Sequence, residues 1–508
     1  MRYRSTILLL TLVTTHVSRA QQAGDPDSTF SADGIAVTNI SPGNDYGLAM
    51  ALQPDGRIVV AGMATTTDAP SERVALVRYM PDGGLDSSFG NAGVTSTAIG
   101  TIRSQATAVA IQPDGRIIIA GFSSSGASSS VFMLARYQPD GSLDNTFGDN
   151  GILFDDLGPQ NDRANGMVLQ PDGRIVVTGQ AGGDHAVVRY NADGSRDNSF
   201  GIDGIRIMDI AGGVDVANAV VLQPDGFIVV AGHSVLQDEP DAQATLVRYA
   251  PDGSLDPTFG TAGIQVSALT SNDDMYHAIA LQADGRIVVA GANIGVGIYQ
   301  VLLARHLADG SVDASFDDEG FMLMPIGNTS TLSSVVVLTD GKILAGGRTD
   351  NRFLLMRFES DGAMDDGFGA NGVVNTFIGS NASGAGLLVQ PDGMALLCGF
   401  AWFAPAYADV VVVRYHMDSP AGLTEWGEQP AALRLFPNPV TDNFQLDLPL
   451  VDGAWALQVL DATGRLVHQE RITGLSSTVD VSALGAGPYH VVAKHGSTNR
   501  AGRVMVVR

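Results

Sequence analysis

The sequence predicts an all-β chain: a seven-bladed β-propeller closed by its N-terminal strand, followed by a small immunoglobulin-like β-sandwich. Three observations lead there. A unit of roughly 56 residues recurs seven times, read most easily at Arg78, Arg136, Arg189, Arg248, Arg305, Arg357 and Arg414. Within each unit the apolar runs are short and turn residues are dense, which fits strands of about five residues and not helices. Third, the repeat is permuted. The phenylalanines of Asp-x-x-Phe are Phe30, Phe89, Phe147, Phe200, Phe259, Phe316 and Phe368, so the first precedes every Gln-Pro-Asp-Gly turn and none follows Arg414. The seventh unit is complete only if the N-terminus joins it.

Taken in chain order, residues 1–20 read as a secretory signal, with Arg2 and Arg4 ahead of the apolar stretch Ile7 to Val13 and a small-x-small step at Ser18-Arg19-Ala20. The propeller is assigned to residues 21–417. Gly47 to Leu52 is the first strand of a unit. Ile58-Val59-Val60-Ala61 is an unbroken apolar run, as expected of a strand covered on both faces. Val74 to Tyr79 and Val94 to Ile99 supply two more. The Pro-Asp-Gly turns join antiparallel neighbours tightly, with proline presetting φ and glycine accepting the left-handed position. Four strands per unit describe a propeller blade, and ring closure removes the open sheet edge. A β-helix is the rival, but it has no need of a permuted repeat.

The units resemble the bacterial delta-60 repeat family, which is considered β-propeller-like, over about residues 24–416. Ala283 and Thr339 replace the turn proline, and His306 and Phe358 replace the tyrosine after the arginine. Residues 418–431 read as a linker and 432–508 as a separate sandwich of short alternating strands. Leu435-Phe436-Pro437-Asn438-Pro439, Asp461-Ala462-Thr463-Gly464-Arg465 and Leu484-Gly485-Ala486-Gly487-Pro488-Tyr489 resemble the type A C-terminal sorting domain of type IX secretion substrates. That resemblance implies export across an outer membrane of the Bacteroidetes kind, a secreted or cell-surface location, and the type IX machinery as a partner.

The formal charge is −25, and residues 421–508 contribute only 8 acidic and 7 basic residues, so the acidity belongs to the propeller. Nucleic acid and anionic membranes are poor partners for such a chain. No stretch approaches the roughly 20 apolar residues of a spanning helix. The single cysteine, Cys398, reads as a buried apolar residue. No histidine pair lies at i and i+4, and nucleotide and nucleophile motifs are absent.

The polar set that repeats is the seven arginines together with Asp27, Asp86, Asp144, Asp197, Asp256, Asp313 and Asp365. Alternation places each arginine on a buried strand face, where the aspartate is a natural bidentate partner. We expect blade-locking ion pairs there and neither catalytic nor cofactor-binding residues. The acid clusters Asp155-Asp156, Asp273-Asp274, Asp317-Asp318-Glu319 and Asp365-Asp366 leave structural calcium open as the one metal, though none follows a known calcium loop. The segments Ala64–Arg73, Ser123–Ser130, Gln237–Gln243 and Ala401–Ala408 vary between units and should emerge on one rim, where an extracellular glycan or protein ligand would be met. A non-catalytic binding module is the reading that follows; a hydrolase or lyase with a metal near the ring axis is the alternative, and fold alone does not choose.

Overall fold

The computed structural model describes residues 21–67, 71–126, 129–210, 212–237, 241–403, 407–418, 431–432, 435–436, 440–448, 454–461, 465–473, 476–495 and 498–507. The expected signal at 1–20, most of the linker, and the Pro437-Asn438-Pro439 and Ala462-Thr463-Gly464 motif segments lie outside them. Among the described residues all regular structure is β. The chain divides at Asp418/Ser419 into two compact units.

In the first unit every repeat forms an antiparallel meander of four strands. The first is Asp45–Leu52, Ile58–Thr65, Glu72–Tyr79 and Val94–Thr97. The first two meanders are linked into one sheet by a single parallel bridge, Glu72 to Arg103. The last sheet consists of Asn381–Val389, Ala395–Phe403 and Tyr407–Tyr415 with Ile35–Thr38 as its fourth strand, Ile35 opposite Val413 and Thr38 opposite Val410. The second strands are the most buried, as their apolar runs require: Ile58 to Ala64 and Ile117 to Ser124 are buried throughout. The strands extend further than their apolar cores suggest, so the variable connections contract, and the first is reduced to the residues between Thr65 and Glu72.

The cores lie between successive sheets. Val59, Ala61, Val74 and Leu76 of the first repeat pack with Ile117, Ile119 and Met133 of the second around Phe89. Phe30, Ile58, Val60 and Val77 pack with Leu396, Cys398, Val410 and Val412, which joins the first and last repeats in one cluster. Each fully buried large side chain of this kind contributes about 1.5–3 kcal/mol. The hairpins between first and second strands close as the Pro-Asp-Gly motif requires: Gly56 sits at φ +84 and its N–H donates to Gln53 O at 2.9 Å. A side chain there would be strained.

Each first strand also carries one bulge. The unpaired residues are Leu48, Thr107, Asn165, Asn218, His277, Ser333 and Ala385. Bulges bend a strand and re-aim a side chain.

The second unit has a five-stranded and a three-stranded sheet. Phe444, Leu446 and Val479 from the smaller sheet share a core with Trp455, Leu457, Val491 and Val504 from the larger. Ser476–Asp480, a strand of the smaller sheet, is not expected from the sequence, because Ser-Ser-Thr-Val-Asp lacks apolar alternation.

Candidate functional site

The third strand of each repeat ends on the Arg-Tyr step, and the chain then turns through the Asp-Gly hairpin to Asp-x-x-Phe. This returns an aspartate to the arginine eight residues before it. Nε of Arg78, Arg136, Arg189, Arg248, Arg305 and Arg357 lies 2.6–2.8 Å from Asp86, Asp144, Asp197, Asp256, Asp313 and Asp365. Arg414 has no such aspartate ahead of it and reaches Asp27 at 2.7 Å instead. All seven aspartates are buried, and six of the arginines are; Arg248 is slightly more open. The guanidinium also lies 4.5–5.0 Å over the phenylalanine of the same motif, as Arg78 does over Phe89 and Arg414 over Phe30.

The expected bidentate pairing is replaced by a different division of labour. The arginine uses one carboxylate oxygen. In six repeats the other oxygen accepts a hydroxyl hydrogen bond from the Ser or Thr two residues on, such as Thr146 to Asp144 at 2.8 Å; the sixth repeat has Gly367 there and uses only its amide. The freed Nη1 donates to a backbone carbonyl of the next repeat: Arg136 to Ala192 at 2.5 Å, Arg305 to Ser360 at 2.6 Å, and Arg414 to Pro81 at 2.8 Å. Arg78, Arg189, Arg248 and Arg357 reach Pro139, Pro251, Ala308 and Met417 in the same way. A second cation, Arg57, Arg116, Arg174, Arg286 or Lys342, shares the aspartate in five repeats. Phe227 takes its place in the fourth and stacks 5.4 Å from Arg248.

Burial pushes these seven carboxyls up. The Ser, Thr and amide donors and the arginine outweigh it, and all seven sit below the ordinary aspartate value.

The opposite end of the sheets holds Asp45, Asp162 and Asp215, which the sequence reading missed, and Asp274, which it saw only as half of an acid pair. Asp45, Asp162, Asp215 and Asp274 stand at the starts of first strands and accept amide hydrogen bonds from the incoming loop, at Ile40, Leu157, Ile210 and Thr270. Burial raises Asp45, Asp162 and Asp215 above the ordinary value. The signal was present as an aspartate five residues after an isolated Ile or Leu in the first three cases. Next to these, four bulge residues bond the backbone of the following repeat in series: Thr107 to Ala164 at 2.8 Å, Asn165 to Ala217 at 3.1 Å, Asn218 to Tyr276 at 2.8 Å, and His277 to Leu332 at 3.1 Å. These four differ between repeats while the flanking residues do not change role, and only the bulge register brings them into one series.

Three of the acid pairs singled out in the sequence have a member engaged within the chain. Asp155 accepts from Tyr190 at 2.7 Å and from Arg196, Asp274 from Asn293, and Asp365 from Arg357 and Lys342. Among the described residues the one three-carboxylate cluster is Asp184, Asp209 and Asp215, whose oxygens lie within 4.8 Å of one another. Cys398 is fully buried, and burial pushes its thiol up to about 12, which makes it unreactive. No helix among the described residues is long and apolar enough to cross a membrane.

The geometry thus defines a class: a repeat-built all-β chain of four-stranded sheets stitched by charge-assisted bonds, followed by a separate C-terminal β module. Six segments, 53–89, 112–147, 170–200, 223–259, 282–316 and 338–368, match the domain of unknown function DUF5122, described as a β-propeller, and residues 434–507 match the secretion system C-terminal sorting domain. The chain carries six DUF5122 β-propeller segments and a secretion-system C-terminal sorting domain, which marks it for the cell surface or the extracellular space.

No curated protein matches the chain. Among solved structures it is similar to PorZ, a bacterial surface component of the type IX secretion system of Porphyromonas gingivalis, at 14% identity and TM-score 0.41, with 93% of this chain covered. The chain spans 61% of the length of PorZ. The polysaccharide lyase Uly1 is matched at 11% identity and TM-score 0.42 over 75% of this chain and 91% of the lyase. A protein of unknown function from Dyadobacter fermentans is matched at 12% identity and TM-score 0.38 over 75% of this chain and 99% of that one.

Proposed function

We propose that the mature chain is a non-catalytic binding module, a seven-bladed ring closed by its N-terminal strand and displayed outside the cell. The observation that carries this reading is the complete occupancy of the arginine node. Each of the seven arginines is spent on its aspartate and on the next repeat's carbonyl, and Arg414 runs from the last repeat to Pro81 in the first. The repeated charges therefore serve as blade locks and leave no catalytic set among themselves. Closure has further support in the strand Ile35–Thr38 beside Tyr407–Tyr415 and in the contact of Asp45–Leu52 with both Arg103–Ile111 and Asn381–Val389.

What varies between repeats is concentrated at the other end. The residue after the Ala-Gly or Gly-Gly step of each second strand is Met63, Phe122, Gln180, His233, Ala292, Arg348 or Phe400, with Gln180 and Phe400 following Thr-Gly and Cys-Gly. Ligand recognition is read to this end. A test is to screen the full chain on glycan and protein arrays, and then to replace the residues between Thr65 and Glu72 by the Gly-Gly turn found at Gly182-Gly183. Loss of the captured ligand with an unchanged melting curve supports the reading. Turnover of a captured polymer, or binding that survives substitution at every variable position, overturns it.

A further inference from the structure

Residues 21–418 hold nineteen lysines and arginines, and their uses can be followed one at a time. Seven arginines occupy the nodes and five further cations share the node aspartates. Arg196 pairs with Asp155, and Arg206 donates to Gly253 O at 2.6 Å. Five remain with no carboxylate partner among the described residues: Arg73, Arg103, Arg163, Arg348 and Arg352. All five lie at one end of the sheets, the end away from the nodes. Arg103 and Arg163 are the first and second residues of first strands, Arg348 is next to last in a second strand, and Arg73 and Arg352 are the second and first residues of third strands.

Scattered cations would carry no message, but these share a place with aromatic faces. The Arg163 guanidinium lies 4.7 Å over the ring of Phe122, and Arg103 lies 5.7 Å from the same ring. Arg163 is exposed, so its planar donor fork is open to a ligand. In the same strand positions of the last and first repeats, Phe400 and Tyr46 are half-buried and meet at 4.4 Å in a tilted pair. The buried carboxylates at this end, Asp45, Asp162, Asp215 and Asp274, are turned to loop amides. Other carboxylates stand at this end, Asp184 and Asp209 beside Asp215 and Glu72 near Tyr46, but charges are screened beyond about 8 Å at physiological salt, so an anion is held where Arg163 and Arg103 meet the Phe122 ring.

We propose, building on the binding-module reading, that this end of the first and second strands binds an acidic polysaccharide. Arg163, Arg103 and Arg348 hold its uronate or sulfate groups, and Tyr46 and Phe400 take the apolar faces of the sugar rings. Arginine forks match both oxyanions, and a few placed polar groups beside aromatic surface are what an orienting site needs.

The test measures the full chain against immobilised polygalacturonate, its methyl ester, chondroitin sulfate, dextran and poly-glutamate. Retention on polygalacturonate or chondroitin sulfate, with none on the ester or dextran, is the expected result, and the pair tells carboxylate from sulfate. Arg163→Ala and Arg348→Ala should each weaken binding about tenfold without moving the melting curve. Arg57→Ala, at the node end, should leave it unchanged. Equal binding to the ester or dextran overturns the acidic assignment and leaves the binding module standing. Equal binding to poly-glutamate overturns the glycan assignment. Failure of all polymers to bind, or indifference of binding to both arginine variants, overturns the proposal outright.

Discussion

Replacing Asp144 by asparagine tests the blade locks at their most enclosed point. Asp144 is only 1% exposed. It accepts Nε of Arg136 at 2.7 Å, Nε of Arg116 at 2.9 Å and the Thr146 hydroxyl at 2.8 Å. The amide of Asp144→Asn would preserve shape and keep one acceptor, but the change removes the charge that balances Arg136. Arg136 cannot leave, since it also spans to Ala192 O and covers Phe147. A buried charge left without its partner costs about 3–5 kcal/mol. The surface pair of Arg116 with Asp114, whose carboxylate is half exposed, gives the internal control: Asp114→Asn should cost less than about 1 kcal/mol. The double change Arg136→Met with Asp144→Leu removes both charges and strands the Ala192 carbonyl, while exposed Thr146 turns to water and Arg116 keeps Asp114, so about 1–3 kcal/mol is expected, less than for the single change. Urea unfolding followed by tryptophan fluorescence and circular dichroism measures all three. If Asp144→Asn costs no more than Asp114→Asn, or the double variant is worse than the single one, the argument from an unbalanced buried charge is wrong.

Three further outcomes are expected. Because the seven node carboxyls sit below their ordinary value in the folded chain, their stabilisation is complete above about pH 4 and is lost as pH falls through the lowered values. Asp45, Asp162 and Asp215 are raised, so their contribution runs the other way and is lost as pH rises through the raised values. The more numerous nodes should win, and a urea midpoint that climbs on acidification below about pH 4 would contradict this. Deleting residues 21–38 removes Asp27, Phe30 and the fourth strand of the last sheet, so a shortened chain that keeps its thermal midpoint would refute closure by the N-terminus. In the native host, a chain ending at Asp418 should accumulate in the periplasm, and its normal appearance in the medium would show that the tail is not what exports it.

Much of this architecture is legible in the residues. Strand-turn-strand periodicity, the permuted Phe30 and the seven Arg and Asp positions follow from local rules of alternation, turn chemistry and burial, which act within a few residues. The separate tail is legible for the same reason, apart from the polar strand Ser476–Asp480. The pairing of Arg414 with Asp27 could be counted out, though the carbonyl taken by each Nη1 could not. Which carbonyl lies there depends on how one sheet stacks on the next, and no periodicity within a repeat encodes that distance. The same holds for Thr107, Asn165, Asn218 and His277. In sequence they are unrelated residues, and it is the bulge at a shared register that turns each toward its neighbour. Arg103, Arg163 and Arg348 lie far apart along the chain and on different strands. Only the antiparallel turn of first strand into second, repeated along the stacked sheets, collects them at one end, because strand ends that are far apart in sequence share that end.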